Sequence, residues 1–403
     1  MRALDSEKAW YNASPSAGEA MRYPFSATLV FLYATSLSAA PTDYTFRNIA
    51  DTSGGAFTNV SNPAINNQGG IAFFAVTAGD VRGIFTGPNP ATDTFADNAG
   101  GSGFDAIGRP AISDNGMIVF AATTDANPTV TGIYRGPNIA DALVPSGAYS
   151  GMKDPFINNS GKIAFWGIYS DNVQGIFTGP NPGNDTIADT GDFAYFDDLI
   201  GPRITYDGAV AFIASTPANR LGIFTGPDSA ILDNSGLIGG IRTFDINDNG
   251  DIIAAVQLID ETPALLVGAN PLTDQLSLNN FGFAGDHVAI DNAGKIVFDG
   301  QTLDGKAGLF TGEDPASDRV LMVGDELFGQ PLKDLFFDHL GFNDKGEVAF
   351  TYRLQNDTWG IATTTPVGAT AIPLPSAIPA TAFLACAFAT HSTIRKWRVS
   401  MRR

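Results

Sequence analysis

The sequence is short of nearly everything that announces a redox protein or a metalloenzyme. Its 403 residues include one cysteine and three histidines, and only 16% of side chains are charged. A lone thiol, Cys386, permits neither an intramolecular disulfide nor a multi-cysteine metal site, and it sits in an apolar tail as a small buried residue would. Between residues 42 and 365 there is no run of amphipathic 3.6 periodicity, Gly-rich phosphate loop, HExxH pair or GxSxG elbow. No cofactor, metal or catalytic set is therefore expected. The abundant carboxylates leave room for a paired-acid glycosidase, but no spacing singles out a pair. Cations are scarce as well: residues 42 to 365 hold 15 Lys and Arg against 39 Asp and Glu, a net charge of about −24. Such a surface repels phosphate backbones, which excludes nucleic acid as a partner and opposes unaided docking on anionic lipid.

What the chain does have is glycine, 45 residues of it, and 29 phenylalanines, a balance that suits short strands and tight turns. One phrase recurs: "INNQGGIAFF", "ISDNGMIVFAA", "INNSGKIAFWG", "ITYDGAVAFIA", "INDNGDIIAAV", "IDNAGKIVFDG" and "FNDKGEVAFTY". Its first residues, Ile65, Ile112, Ile157, Ile204, Ile246, Ile290 and Phe342, are spaced by 47, 45, 47, 42, 44 and 52. That is the length of one propeller blade. A second phrase ("GIFTGP" at Gly83, Gly175 and Gly222, "ALLVGA" at Ala264, "GLFTGE" at Gly308, "GIATTT" at Gly360) follows 18 residues later in six copies, and "GIYRGP" at Gly132 follows after 20. A third ("TFADN", "TIADT", "AILDN", "RVLMV") follows that. Four short apolar stretches per unit, divided by turn residues, predict a four-stranded antiparallel sheet, and the fold class expected is all-β, a seven-bladed β-propeller. The seventh unit stops at "WGIATTT" without a fourth strand, while an orphan, "TFRNIADT" at residues 45 to 52, precedes the first. The orphan is expected to complete the last blade and close the ring.

The repeated phrase opens on Asn66, Ser113, Asn158, Thr205, Asn247, Asp291 or Asn343, short side chains that bond their own backbone two residues on. Three residues later comes glycine in every copy, from Gly69 to Gly346, which supplies positive φ. This is a tight hairpin turn. "DINDNGD" places Asp245, Asn247 and Asn249 at the opening spacing of a calcium loop, but the bidentate carboxylate such a loop needs is replaced by Val256, so this copy too reads as a hairpin.

This pattern resembles the tandem NxxGxxAF repeat of bacterial surface proteins with interchangeable anchors. Asn66, Gly69, Ala72 and Phe73 match it in full, as do Asn158, Gly161, Ala164 and Phe165, and Asn343, Gly346, Ala349 and Phe350. The resemblance covers essentially residues 43 to 365 and implies an exported, anchored repeat protein without an assigned reaction. The ends agree with it. Residues 1 to 38 read as an N-terminal extension plus a secretory signal peptide, with Met21 as the true start, an apolar stretch at residues 27 to 34 and cleavage after Ser38. Residues 366 to 403 run from a Pro-rich joint through an apolar stretch at about residues 378 to 390 to Arg395, Lys396, Arg398, Arg402 and Arg403. That order of parts resembles the PEP-CTERM type of sorting signal, which implies a membrane-embedded sorting enzyme as partner. It departs from the pattern at Leu374, Pro379 and His391, and a plain C-terminal membrane anchor is the alternative. Either way the membrane is met only through this segment.

Within the repeats, the positions three and four before each anchor residue differ between copies, and most are polar. They include Arg109, Lys153, Asp154, Arg242, Asp286, His287, Asp338 and His339. Variable polar groups on a repeated scaffold are where recognition is expected, and these are expected to ring one mouth of the central channel as ligand-binding residues. His287 and His339 share a register in neighbouring units, about 10 Å apart if blades stack as sheets do, too far to share a metal directly but close enough to bracket a sugar or a bridging ion. The function expected is a surface-attached binding module for an extracellular polysaccharide or a surface protein. The alternatives are a secreted carbohydrate-active hydrolase or lyase with its site at the channel mouth, and a structural coat component.

Overall fold

Every repeat folds around the same hairpin. The glycine N–H donates back to the carbonyl of the first turn residue at 2.9–3.1 Å in all seven copies, and the glycine φ lies between 74° and 89°. Asn66 shows the full use of the side chain: Oδ1 accepts from the backbone of Gln68 and Gly70 at 3.1 and 2.7 Å. Its Nδ2 goes further than a local turn requires and donates to Ser113 O of the next repeat at 2.9 Å. Asn158, Asn247 and Asn343 make the same bond to Thr205 O, Asp291 O and Asn66 O at 2.9–3.0 Å. The last of these joins the seventh repeat to the first. The "DINDNGD" copy is such a hairpin, with Asn247 Oδ1 accepting from Asn249 and Asp251 backbone N–H.

The computed structural model describes residues 43–367, apart from short stretches at 126–130, 146, 148, 171, 192–194, 218–220, 227–228 and 234–236. The signal-like and sorting-like segments lie outside the described residues. Seven antiparallel sheets follow one another, and six contain four consecutive strands. Their inner strands are Phe57–Ile65, Phe104–Ile112, Gly151–Ile157, Asp198–Ile204, Ile238–Ile246 and Phe281–Ile290 (blades 1 to 6). Blade 7 holds Gln330–Phe336, Ala349–Leu354, Trp359–Pro366 and, outermost, the N-terminal strand Tyr44–Asp51; a two-residue strand, Glu326–Leu327, hairpins onto the start of its inner strand. Pairing runs from Tyr44↔Pro366 to Asp51↔Gly360. The orphan strand therefore closes the ring. The chain is a seven-bladed β-propeller.

Each hydrophobic cluster lies between two blades rather than within one. Phe57, Phe73 and Phe85 of blade 1 pack on Ala349 and Ile361 of blade 7, and six further clusters fill the other interfaces. The two phenylalanines of "AF" and "GIF" tilt against each other, and a third ring from the start of the inner strand meets the latter edge-on. The edge-on centroid distance is 5.0 Å for Phe57–Phe85, 4.8 Å for Phe104–Tyr134 and 4.8 Å for Tyr149–Phe177. Edge-to-face geometry of this kind contributes roughly 0.5–1.5 kcal/mol beyond burial. At Gly132, Gly175, Gly222 and Gly308 the ring two residues on leaves no room for a side chain: a Cβ at Gly132 would stand 2.7–2.9 Å from the Tyr134 side chain. Blade 5 has no ring there but Leu266, and there Ala264 replaces the glycine.

Two predictions follow from this packing. In Gly132→Ala the methyl group collides with the Tyr134 ring and stability falls by about 2 kcal/mol; in a Tyr134→Leu background the same change costs less than half as much, a coupling read by a denaturation double-mutant cycle. Asp291 occupies the position of the bridging asparagines but has no amide to donate, and its Oδ2 is buried without a hydrogen-bond partner. Burial pushes its carboxyl above the ordinary value. The folded state thus favours the protonated form, whose contribution is present at acid pH and lost as pH rises. Asp291→Asn is expected to stabilise the protein by about 1 kcal/mol at pH 7 and by less at pH 4, measured as a Tm shift.

Candidate functional site

Inner strands carry an irregularity at the same place. Pairing slips between Ser61 and Ala64, Ile107 and Pro110, Lys153 and Phe156, and Ile200 and Arg203, with comparable slips in blades 5 and 6. In blade 7 a 3₁₀ turn, His339–Gly341, takes its place. Asn62 and Asp154 have φ of 52° and 51° there, a region costly for residues with a Cβ. A β-bulge bends the strand and re-aims its side chains. The variable positions three and four before the anchors sit on these bulges. In blades 1 to 6 they lie within the inner strand, and in blade 7 they lie in the turn that follows it.

Re-aimed in this way, charged residues of distant blades meet across the axis. Arg109 of blade 2 binds Asp338 of blade 7 (Nη1–Oδ2 2.6 Å) and Asp154 of blade 3 (Nη2–Oδ1 3.1 Å). His339 Nδ1 lies 2.6 Å from Asp338 Oδ1 and 3.2 Å from Arg203 Nη2 of blade 4. The shorter contact, to a carboxylate with no proton to give, places the imidazole proton on Nδ1. Arg203 Nε faces Asp245 Oδ1 of blade 5 at 3.6 Å, and Asp245 Oδ2 accepts from Ile290 N–H. The His339 ring stacks on Phe156 with centroids 5.0 Å apart, and the Arg203 guanidinium lies over Phe156 and Phe244 at 4.8 and 5.2 Å.

The electrostatics follow from loss of water. Burial lowers Arg203 to about 10 and raises the Asp245 carboxyl to about 6 against the pull of Arg203. Burial, helped by the Arg203 charge, pushes His339 down to about 3, so it is neutral. Burial alone would raise Asp338, yet the His339 ring N–H, Arg109 and Arg203 hold it well below the usual carboxylate range. This cluster is a buried ionic plug, two guanidinium groups held among three carboxylates and a neutral imidazole.

Beside the plug opens a cleft of about 330 Å³, lined by Lys153, Trp166 and Gln174 of blade 3, Asp198, Ile200 and Arg203 of blade 4, and Arg242 and Thr243 of blade 5, with Arg109 and Asp154 at its axial side. Lys153, Ile200 and Arg242 occupy the same register on three consecutive blades, and all are exposed. Lys153 and Trp166 are cross-strand partners, the Nζ standing 4.6 Å from the ring centroid. No carboxylate pairs with Lys153 among the described residues. Arg242 lies over Phe283 and 3.7 Å from Asp286, whose side chain is 60% exposed.

Of the eight residues expected from sequence, Arg109, Lys153, Asp154 and Arg242 share this cleft, and Asp338 and His339 stand behind it in the plug. Asp286 touches only the outer cation. His287 pairs with Asp299 on the neighbouring strand at 3.0 Å, which raises its pKa, and it is half exposed. The two histidines therefore do not bracket a shared ligand: one is an exposed surface group and the other is buried in the plug. Sequence reasoning missed Arg203 and Trp166, and took Asp245 only as part of a hairpin with calcium-loop spacing. A signal existed for Arg203 and Asp245, because the position just before each anchor is Ala64, Ala111, Phe156, Arg203, Asp245, Ala289 or Gly341, and opposite charges appear there in adjacent copies only.

The other end of the channel is lined by the seven hairpins. There the backbone N–H of Asn67, Asp114, Tyr206, Asp248, Asn292 and Asp344 donates to the side chain at the same position of the next blade, at 2.6–2.8 Å. Carboxylates and amides alternate and satisfy each other, apart from the break at Tyr206. These groups hold the ring and are not free for a ligand.

No protein-family model matches the sequence, and no curated protein matches it. Among solved structures the chain is similar to the β-propeller domain of Myceliophteria thermophila Cps50 (Swd1), at 12% identity and TM-score 0.42 over 79% of this chain and 99% of that one. It is also similar to BBS1N in complex with ARL6DN, at 9% identity and TM-score 0.40 over 80% and 98%.

Arg203→Met leaves Asp245 buried without its cation and is expected to cost about 3–5 kcal/mol; adding Asp245→Asn recovers most of it, measured by urea denaturation. Because the folded-state value of Asp245 is raised, its contribution weakens as pH climbs from about 4 through 6. The single variant should therefore lose more stability at pH 7 than at pH 4.

Proposed function

We propose that this chain is an exported, surface-attached propeller that serves as a binding module for an extracellular polysaccharide or surface protein, taken in the cleft beside the plug. The observation that carries the reading is the uneven use of one bulge. Its backbone recurs in six of the seven blades, yet its side chains on blades 3, 4 and 5 are Lys153, Ile200 and Arg242, exposed together next to Trp166. Elsewhere in this register Arg109, Asp338 and His339 are taken up by the plug, whereas these three stay exposed, as side chains of a recognition surface do. The hairpin end shows the contrast, since its polar groups recur and are consumed by one another. Export and attachment are supported by the signal-like segment before residue 39, the basic apolar terminus after residue 366 and the acidity of the repeats.

The test is binding of the full-length chain to a panel of bacterial extracellular polysaccharides, with assay of the same mixtures for new reducing or unsaturated ends. Binding to at least one polymer is expected, without turnover, and Trp166→Ala should weaken it about tenfold. Undiminished binding by that variant would remove the cleft from the reading, and released ends dependent on the cleft would make the protein a hydrolase or lyase.

A further inference from the structure

Cations are rationed in this protein, and their placement is informative. Of the 15 Lys and Arg between residues 42 and 365, four (Arg109, Lys153, Arg203 and Arg242) line one cleft of about 330 Å³. Arg109 and Arg203 are committed to the plug by Asp154, Asp338 and Asp245. Lys153 and Arg242 are not consumed in that way: the first has an aromatic face and no carboxylate, and the second only a solvent-exposed Asp286 at 3.7 Å. In a domain with a net charge of about −24, an exposed pair of this kind is a local reversal of sign. Such a reversal inside a walled cleft focuses the field on whatever binds there.

The rest of the lining narrows the chemistry. Asp154 and Asp198 would repel a ligand that offered only negative charge, while Gln174 and Thr243 offer both donors and acceptors and Trp166 offers ring surface. A ligand with one fixed anionic group and many hydroxyls satisfies all of these at once. An acidic peptide fits less well, because its carboxylates repeat along the chain and meet Asp154 and Asp198 as well as the cations. Resting on the binding role assigned to this cleft, we infer that its ligand is an acidic saccharide, a sugar carrying a carboxylate or sulfate ester. Its anionic group sits between Lys153 and Arg242, its ring lies toward Trp166, and its hydroxyls meet Asp198, Gln174 and Thr243. The cleft is at the small end of ligand pockets, so it takes a unit or two of a chain.

The experiment is calorimetric titration of the full-length chain with four probes of matched length: a uronate oligosaccharide, a sulfated oligosaccharide, the neutral homologue and an acidic peptide. The expected result is that at least one acidic oligosaccharide binds about tenfold or more tightly than the neutral one. Its affinity should weaken with added salt, as interactions of exposed charges do. Lys153→Ala and Arg242→Ala should each lower that affinity about tenfold while leaving the neutral homologue unaffected. Lys306→Ala, at an exposed pair with Asp304, is the control and should bind as the parent does. Both cleft residues are exposed, so the variants should fold, which an unchanged Tm verifies. A preference for the uronate or the sulfated probe tells the two anions apart. Equal binding of neutral and acidic oligosaccharides, weakened by Trp166→Ala, would overturn the charge assignment and leave the cleft as the binding site. Binding of the acidic peptide alone would overturn the saccharide assignment. Acidic oligosaccharide binding indifferent to Lys153→Ala, Arg242→Ala and Trp166→Ala would overturn both the inference and the placement of the site.

Discussion

One side chain used twice organises this molecule. The asparagine that opens a hairpin closes its own turn through Oδ1 and, through Nδ2, holds a carbonyl of the next blade. At four of the seven junctions such a turn also sets the neighbour's position and so how far that blade rotates about the axis. The chain Asn343 to Asn66 to Ser113 carries this linkage across the junction of the termini. Hydrophobic burial supplies most of the stability, but flat faces lined by alanine and phenylalanine tolerate sliding, and directional bonds at one end do not. Register on the inner strands depends on those bonds, and the bulges and everything mounted on them depend on register.

The two ends of the channel illustrate how a repeat can separate structure from recognition. At the hairpin end the same polar residue types recur because they serve the same neighbour in each blade. Away from it, at the bulges, the backbone recurs and the side chains do not. There four of the fifteen cations between residues 42 and 365 gather, in a buried plug and in the cleft beside it. The plug is costly in desolvation, as the displaced pKa values of Arg203, Asp245 and His339 show. What it does for the cleft is hold Arg109 and Asp154 in place at the cleft's axial wall.

The repeat made much of this legible in advance. Blade number, strand number and the closing strand follow from spacing, and the hairpins follow from Asx and glycine at fixed offsets. Even the glycine of "GIF" and the paired exception Ala264 with Leu266 can be understood once the ring is seen to lie back over it. The candidate site was legible only as a register. Lys153 and Arg242 were picked out by variability, but so were Asp286 and His287, which the fold leaves outside the cleft. Alternation along a strand would separate Asp338 from His339. The two touch because they lie in a 3₁₀ turn capped by Asp338, which the seventh copy adopts in place of a bulge.

The division between the two sources has a physical reason. Short-range chemistry, such as a turn closed within four residues or a ring over its own i−2 glycine, is written in the residues that perform it. The sequence by itself therefore determined the blade, its number and the order of its strands. Arg109 and Asp338 are 229 residues apart, and Arg203 and His339 are 136 apart. Their meeting depends on the summed rotation of the blades between them and on a bulge in each strand that turns a side chain inward. No local pattern encodes that sum, so only the closed ring decided which charges neutralise each other on the axis and which remain free beside it.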